Sequence, residues 1–151
     1  MTSIKARIAL FTFLIFATPL AARADYEQRL SLGVGVAHLS NPSTTSFTVG
    51  GDFERRLDMF LGLGVGMDYV FSNPSIFRLA VPTAYLHPFA TEWFVSAAPL
   101  FQFQSGTSTH VGGRFGTRIP LPFGVFTLIP SVAVDVISGG PNYFFGLGIQ
   151  I

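Results

Sequence analysis

The stretch Phe60–Phe71, FLGLGVGMDYVF, puts glycine at positions 62, 64 and 66 of the most apolar run that follows residue 24. Leu61, Leu63, Val65 and Met67 stand between and beside them. Successive side chains of a β-strand point to opposite faces. With that period, one face carries Met59, Leu61, Leu63, Val65, Met67, Tyr69 and Phe71, and the other Asp58, Phe60, Gly62, Gly64, Gly66, Asp68 and Val70. The first face suits lipid; the second is mostly small or charged. A helix packing through Gly62-x-x-x-Gly66 is the competing reading, but the run is short and edged by Asp58 and Asp68. A dinucleotide-binding loop fails because Met67 stands where the third glycine belongs. Glycines pointing into the narrow interior of a closed barrel account for the pattern.

The chain has 151 residues, enough for one domain. Residues 1–24 read as a secretory signal peptide: Lys5 and Arg7, then the apolar run IALFTFLIFATPLA (Ile8 to Ala21), then Ala22-Arg23-Ala24. That run is shorter than the ~20 residues of a spanning helix. Residues 25–151 form the mature domain, with six arginines, no lysine and eight acids, a formal charge of −2. No basic patch for nucleic acid is present. There is no cysteine, which excludes disulfides and thiol chemistry. His38, His87 and His110 are far apart and lack metal-ligand spacing. No cofactor and no metal are expected.

Hydrophobic residues make up 49% of the chain and charged ones 11%, against about 25% charged in ordinary soluble domains. Yet Gly, Pro, Asp or Arg breaks every long apolar run after residue 24. A transmembrane β-barrel satisfies both facts, since its strands cross with about 9–11 residues. The alternation recurs in eight segments: about 29–39, 45–55, 60–71, 76–87, 92–104, 109–120, 124–137 and 143–151. Turn signals separate them at 40–44, 55–58, 72–75, 88–91, 105–108, 120–123 and 138–142. The fold expected is all-β, an eight-stranded antiparallel up-and-down transmembrane barrel. Pro82, Pro99 and Pro130 fall inside strands, where a missing N–H is awkward. Bulges are expected there, with the faces free to flip beyond each proline.

Seven charges fall on the inward register: Asp52, Glu54, Asp68, Arg78, Arg114, Arg118 and Asp135. Buried charges need partners, so an interior Arg–carboxylate network is expected. Aromatics gather near strand ends, with Tyr69, Phe71, Phe101, Phe103 and Tyr143 at one rim and Phe53, Tyr85, Trp93, Phe123 and Phe126 at the other. Such girdles mark membrane–water interfaces.

On this architecture, residues 25–151 resemble the small eight-stranded outer-membrane β-barrels of Gram-negative bacteria. The end YFFGLGIQI, Tyr143 to Ile151, resembles the C-terminal strand by which such chains are recognised for assembly, with Ile151 where the family usually has Phe. The resemblance implies a place in the outer membrane and contact with its lipids and lipopolysaccharide. It also implies handling by the barrel-assembly machinery, and a non-enzymatic structural or interaction role. A narrow pore is a second possibility, and a soluble lipocalin-like barrel would reverse the faces of the third strand.

VAHLSN, Val36 to Asn41, also resembles the His-x-Ser-Asn motif of the lipid A deacylases, barrels with an esterase site facing lipid. The resemblance implies His38 as base and Ser40 as nucleophile, a pairing that nucleophilic catalysis uses. In that family the motif lies near the C-terminus, and here it opens the barrel. At the spacing of the family's orienting Glu this chain has Asp52, which is in the inward register.

Overall fold

The computed structural model describes residues 27–88, 93–106 and 109–150. The signal peptide read over residues 1–24, Glu92, Ile151 and parts of the turns at 88–91 and 105–108 lie outside the described residues.

The strands are β1 (Gln28–Ser40), β2 (Ser43–Arg56), β3 (Leu61–Val70), β4 (Ile76–Leu86), β5 (Phe94–Gln104), β6 (Thr109–Arg118), β7 (Leu121–Phe123), β8 (Phe126–Ile137) and β9 (Gly140–Gln150). Each pairs antiparallel with its neighbour, β9 pairs with β1, and β6 pairs with β8, so the sheet closes on itself. β7 continues β6: Arg118 pairs with Ser131 and Leu121 with Leu128, in unchanged register. The barrel therefore has eight staves. Of the 120–123 segment, Leu121–Phe123 is strand rather than the turn expected from its prolines. The turn is Gly124-Val125, where Gly124 has φ +62, the conformation that a two-residue hairpin wants at its first central position. The 55–58 break also moves: Arg55 and Arg56 stay in β2, and Asp58 Oδ1 accepts the Phe60 and Leu61 backbone N–H groups at 2.7 and 2.8 Å. That side-chain-to-backbone bonding makes the turn.

Three connections among the described residues, 41–42, 71–75 and 138–139, lie at one end of the barrel, the loop end. Glu27 and Gln150 lie at the other, the terminal end.

The alternation read in β3 holds around the barrel. Leu32, Val34, Val36, Phe115, Leu147 and Ile149 are exposed on the outside, while Ser31, Thr48, Asp52 and Ala37 on alternate positions are buried within. Of the inward glycines, a Cβ on Gly62 would overlap the Glu54 carboxylate and one on Gly64 the Phe53 carbonyl. Those glycines make room for an inward charge and for close strand approach.

Pro82 behaves as a strand proline should. Gly64 pairs with Thr83 but Gly66 with Ala80, so Val81 and Pro82 together oppose Val65. This two-against-one arrangement is a β-bulge. It flips every later side chain of β4. Arg78 and Ala80 face inward before it, and Thr83, Tyr85 and His87 after it. Tyr85, expected in the outer girdle, is thus 2% exposed inside the barrel, and Ala84, expected inside, is exposed outside.

Pro99 and Pro130 carry no bulge of their own. Pro99 keeps register with Gly113 of β6, and its β4 side faces the Val81–Pro82 bulge, where the ladder is already interrupted. Pro130 keeps register with Leu147, and its carbonyl accepts Ile119 N–H at 3.2 Å. Antiparallel partners exchange both bonds, so the N–H that Pro130 lacks would have pointed to Ile119, the break between β6 and β7.

Two apolar groups pack in the lumen: Ala37, Leu39, Val70, Ile76 and Phe144, and Ala80, Ala98 and Leu100. Burying a side chain such as Leu100 contributes about 1.5–3 kcal/mol.

Candidate functional site

Among the described residues, the lumen gathers ionisable groups in three tiers. The first lies toward the loop end. Asp68 on β3 faces Arg78 on β4, and Arg114 on β6 faces Asp135 on β8. Arg114 donates Nε to Asp135 Oδ1 at 2.6 Å and Nη2 to Oδ2 at 2.8 Å, and its Nη1 donates to Asp68. Arg78 is fully buried. It donates Nε to Gln102 Oε1 at 2.9 Å and brings Nη1 to 3.1 Å from Asp135 Oδ2. Its guanidinium lies 4.4 Å from the centre of the Phe144 ring, and that of Arg114 lies 5.0 Å from it. Two cations and two anions balance, as burial demands.

In the second tier Arg118 on β6 reaches across the lumen to both oxygens of Asp52 on β2. A cavity of about 120 Å³ lies between the tiers, lined by Asp68, Arg114, Arg118, Ser31, Thr48 and Ser131 among others. It is roughly the room of four water molecules at about 30 Å³ each. Beside this tier Tyr85 and Phe94 meet edge to face, with ring centroids 5.2 Å apart.

The third tier is at the terminal end. Glu54 Oε1 meets His87 Nε2 at 2.5 Å, and His87 Nδ1 meets Arg56 Nη2 at 2.7 Å. A guanidinium has no acceptor, so His87 Nδ1 accepts from Arg56 and its Nε2–H donates to Glu54. Arg29 donates to Glu27 Oε2 at 2.8 Å. That bond holds the Glu27 carboxyl below its ordinary range.

All seven residues read from the sequence as interior charges face the lumen. Asp52, Asp68, Arg78, Arg114, Arg118 and Asp135 pair among themselves, whereas Glu54 pairs with His87. His87, Arg56, Arg29 and Glu27 were not in that set. Arg29 lies in the inward register of β1, two positions before Ser31, and this was the signal available. His87 enters only through the β4 bulge.

His38 and Ser40 face outward near the loop-end rim, both partly exposed. His38 Nδ1 lies 3.1 Å from Thr45 Oγ1 on β2, and the Ser40 hydroxyl donates to the Pro141 carbonyl on β9. Their hydrogen bonds run to opposite neighbouring strands. Asp52, in the inward register, is taken up by Arg118.

Rings do gather at the rims. Tyr69 and Phe71 meet edge to face at 4.9 Å, and Phe77 stacks on Phe103 at 6.0 Å, both near the loop end. At the other rim, Trp93 Nε1 donates to Thr117 Oγ1 at 2.8 Å.

This arrangement is similar to solved transmembrane barrels. The N-terminal β-barrel domain of Pseudomonas aeruginosa OprF superposes with TM-score 0.61 at 14% identity, over 83% of this chain and 98% of that one. Two de novo designed transmembrane barrels superpose with TM-scores 0.53 and 0.54 at 12% and 13% identity. They cover 85% and 82% of this chain and 95% of each designed one. No protein-family model and no curated protein matches the sequence. The chain has the closed eight-stranded antiparallel fold of membrane-spanning barrels.

Proposed function

We propose that this protein is an integral outer-membrane β-barrel of a bacterial envelope, non-enzymatic, with a structural or interaction role and a lumen sealed by its ionic tiers. The observation that carries the reading is the division of the wall. Val34, Leu147 and Phe115 are 52%, 51% and 58% exposed on the outside, while Arg78 and Asp135 are fully buried within. A soluble binding barrel has the opposite polarity. In the bilayer the outer belt contacts acyl tails, and the rim rings lie at the level of lipid and lipopolysaccharide headgroups. The strand ending in YFFGLGIQI is its handle for the barrel-assembly machinery.

Fractionation with heat-modifiable gel mobility tests the placement. The protein should go with outer-membrane fragments and run faster unheated than boiled; recovery as a soluble species with unchanged mobility would overturn the reading. Planar-bilayer recording tests the seal. The expected trace is flat, and steady unitary conductance would replace the seal with a narrow pore. An altered lipid A acyl pattern in expressing cells, lost in Ser40→Ala, would replace the non-enzymatic role with an esterase.

A further inference from the structure

A second cavity, of about 260 Å³, opens at the loop end. It holds the volume of about nine water molecules at roughly 30 Å³ each. Three polar side chains lining it are each at least nine-tenths buried: Arg78, Gln102 and Asn142, at 0%, 5% and 5% exposure. Their hydrogen bonds fix which atoms remain. Gln102 gives its Oε1 to Arg78 Nε at 2.9 Å, and Asn142 gives its Oδ1 to the Ser40 backbone N–H at 3.0 Å. Each carboxamide oxygen is thus engaged by the protein, and each side chain also offers an NH₂ donor. Arg78 adds Nη2, a buried donor with no hydrogen-bond partner among the described residues. Near the mouth, His110 Nδ1 lies 3.2 Å from Ser138 Oγ. No acidic residue lines the cup.

A cup whose three buried polar side chains each offer a donor, one of them unpartnered, asks for an acceptor, because a buried donor without one carries a penalty of about 1–3 kcal/mol. We propose that this loop-end cup binds a small free carboxylate, its oxygens taking the Gln102 and Asn142 N–H groups above the Arg78 guanidinium. A single negative charge fits better than two. Arg78 and Arg114 are already balanced by Asp68 and Asp135, so the floor is polarised toward an anion without being strongly positive. The aliphatic part of the ligand would lie against Leu39, Ile76 and Ile137, which also line the cup. This inference concerns the lumen and does not depend on which membrane holds the barrel.

The test is a titration of the full mature chain, refolded in detergent micelles, with sodium acetate at constant ionic strength, followed through the side-chain amide ¹⁵N–¹H signals. The signals of Gln102 and Asn142 should shift together and saturate with acetate, and stay still with acetamide. Gln102→Glu keeps an oxygen for Arg78 Nε but replaces the donor with a carboxylate. It should retain the heat-modifiable mobility of a folded barrel while weakening acetate binding at least about tenfold, a loss of roughly 1.4 kcal/mol. Absence of saturation, an equal response to acetamide, or undiminished binding in folded Gln102→Glu would each overturn the proposal.

Discussion

Arg114 and Asp135 face each other across β6 and β8 and meet as a bidentate pair, Nε to Oδ1 at 2.6 Å and Nη2 to Oδ2 at 2.8 Å. Asp135 is fully buried and also neighbours Arg78 at 3.1 Å, so one carboxylate compensates two guanidinium groups. Asp135→Asn leaves both cations short of an anion. Removing one partner of a buried pair costs about 3–5 kcal/mol, and that loss is expected in urea unfolding of the protein in lipid vesicles. Glu27→Gln, whose side chain is 55% exposed, should barely move the same curve.

The bulge at Val81–Pro82 makes a paired prediction. Tyr85→Ala removes a ring buried beside Phe94 and should destabilise by about 3–5 kcal/mol, the range for emptying a large core site. Ala84→Leu adds a side chain on the outer belt and should be close to neutral. An unbulged β4 would reverse the two results, so unfolding midpoints of both variants decide the register.

How much of this was legible in the sequence follows from where register could be lost. The faces of β1, β2, β3 and β9 were readable, because unbroken alternation leaves one inward register. Six of the seven charges pair with one another for the same reason. Beyond Pro82 the period still reads as two, but its phase depends on whether the chain spends an extra residue there. A single sequence does not fix that choice, so Tyr85 and His87 were misplaced or missed. Pro99 and Pro130 looked equally disruptive, and yet both keep register. The gap opposite each is supplied by another strand, the bulge for Pro99 and the Ile119–Pro120 break for Pro130. That compensation exists only in the assembled sheet. The turn at Gly124-Val125 was hidden because Pro120 and Pro122 read as loop, although neither interrupts the pairing register.

The glycines of β3 separate by neighbour rather than by type. A Cβ on Gly62 would collide with the Glu54 carboxylate, which His87 holds in place, whereas one on Gly66 would meet Ala80 and Asp52 at ordinary distances of 3.7 and 3.9 Å. Gly62→Ala should therefore destabilise by about 1–3 kcal/mol, the usual penalty of overpacking. Gly66→Ala should be neutral or slightly stabilising in the same unfolding assay, since alanine loses less backbone entropy on folding than glycine.

Charge on the outer wall should be penalised by depth. Val34 lies mid-strand between Val49 and Leu147, so Val34→Arg should cost about 2–4 kcal/mol in vesicles. Phe123→Arg, beside the Gly124-Val125 turn, should cost about 1 kcal/mol or less because its charge reaches the interface. Equal penalties at the two positions would contradict the depth assignment.

Nuclear Overhauser contacts between lipid acyl chains and methyl groups, recorded for residues 25–151 in lipid nanodiscs, test the division of the wall most directly. Strong acyl contacts are predicted for Val34, Leu63, Leu147 and Ile149, and none for Ala37, Leu39 and Leu100. Acyl contacts at the second set, or water contacts in place of lipid at the first, would contradict the account.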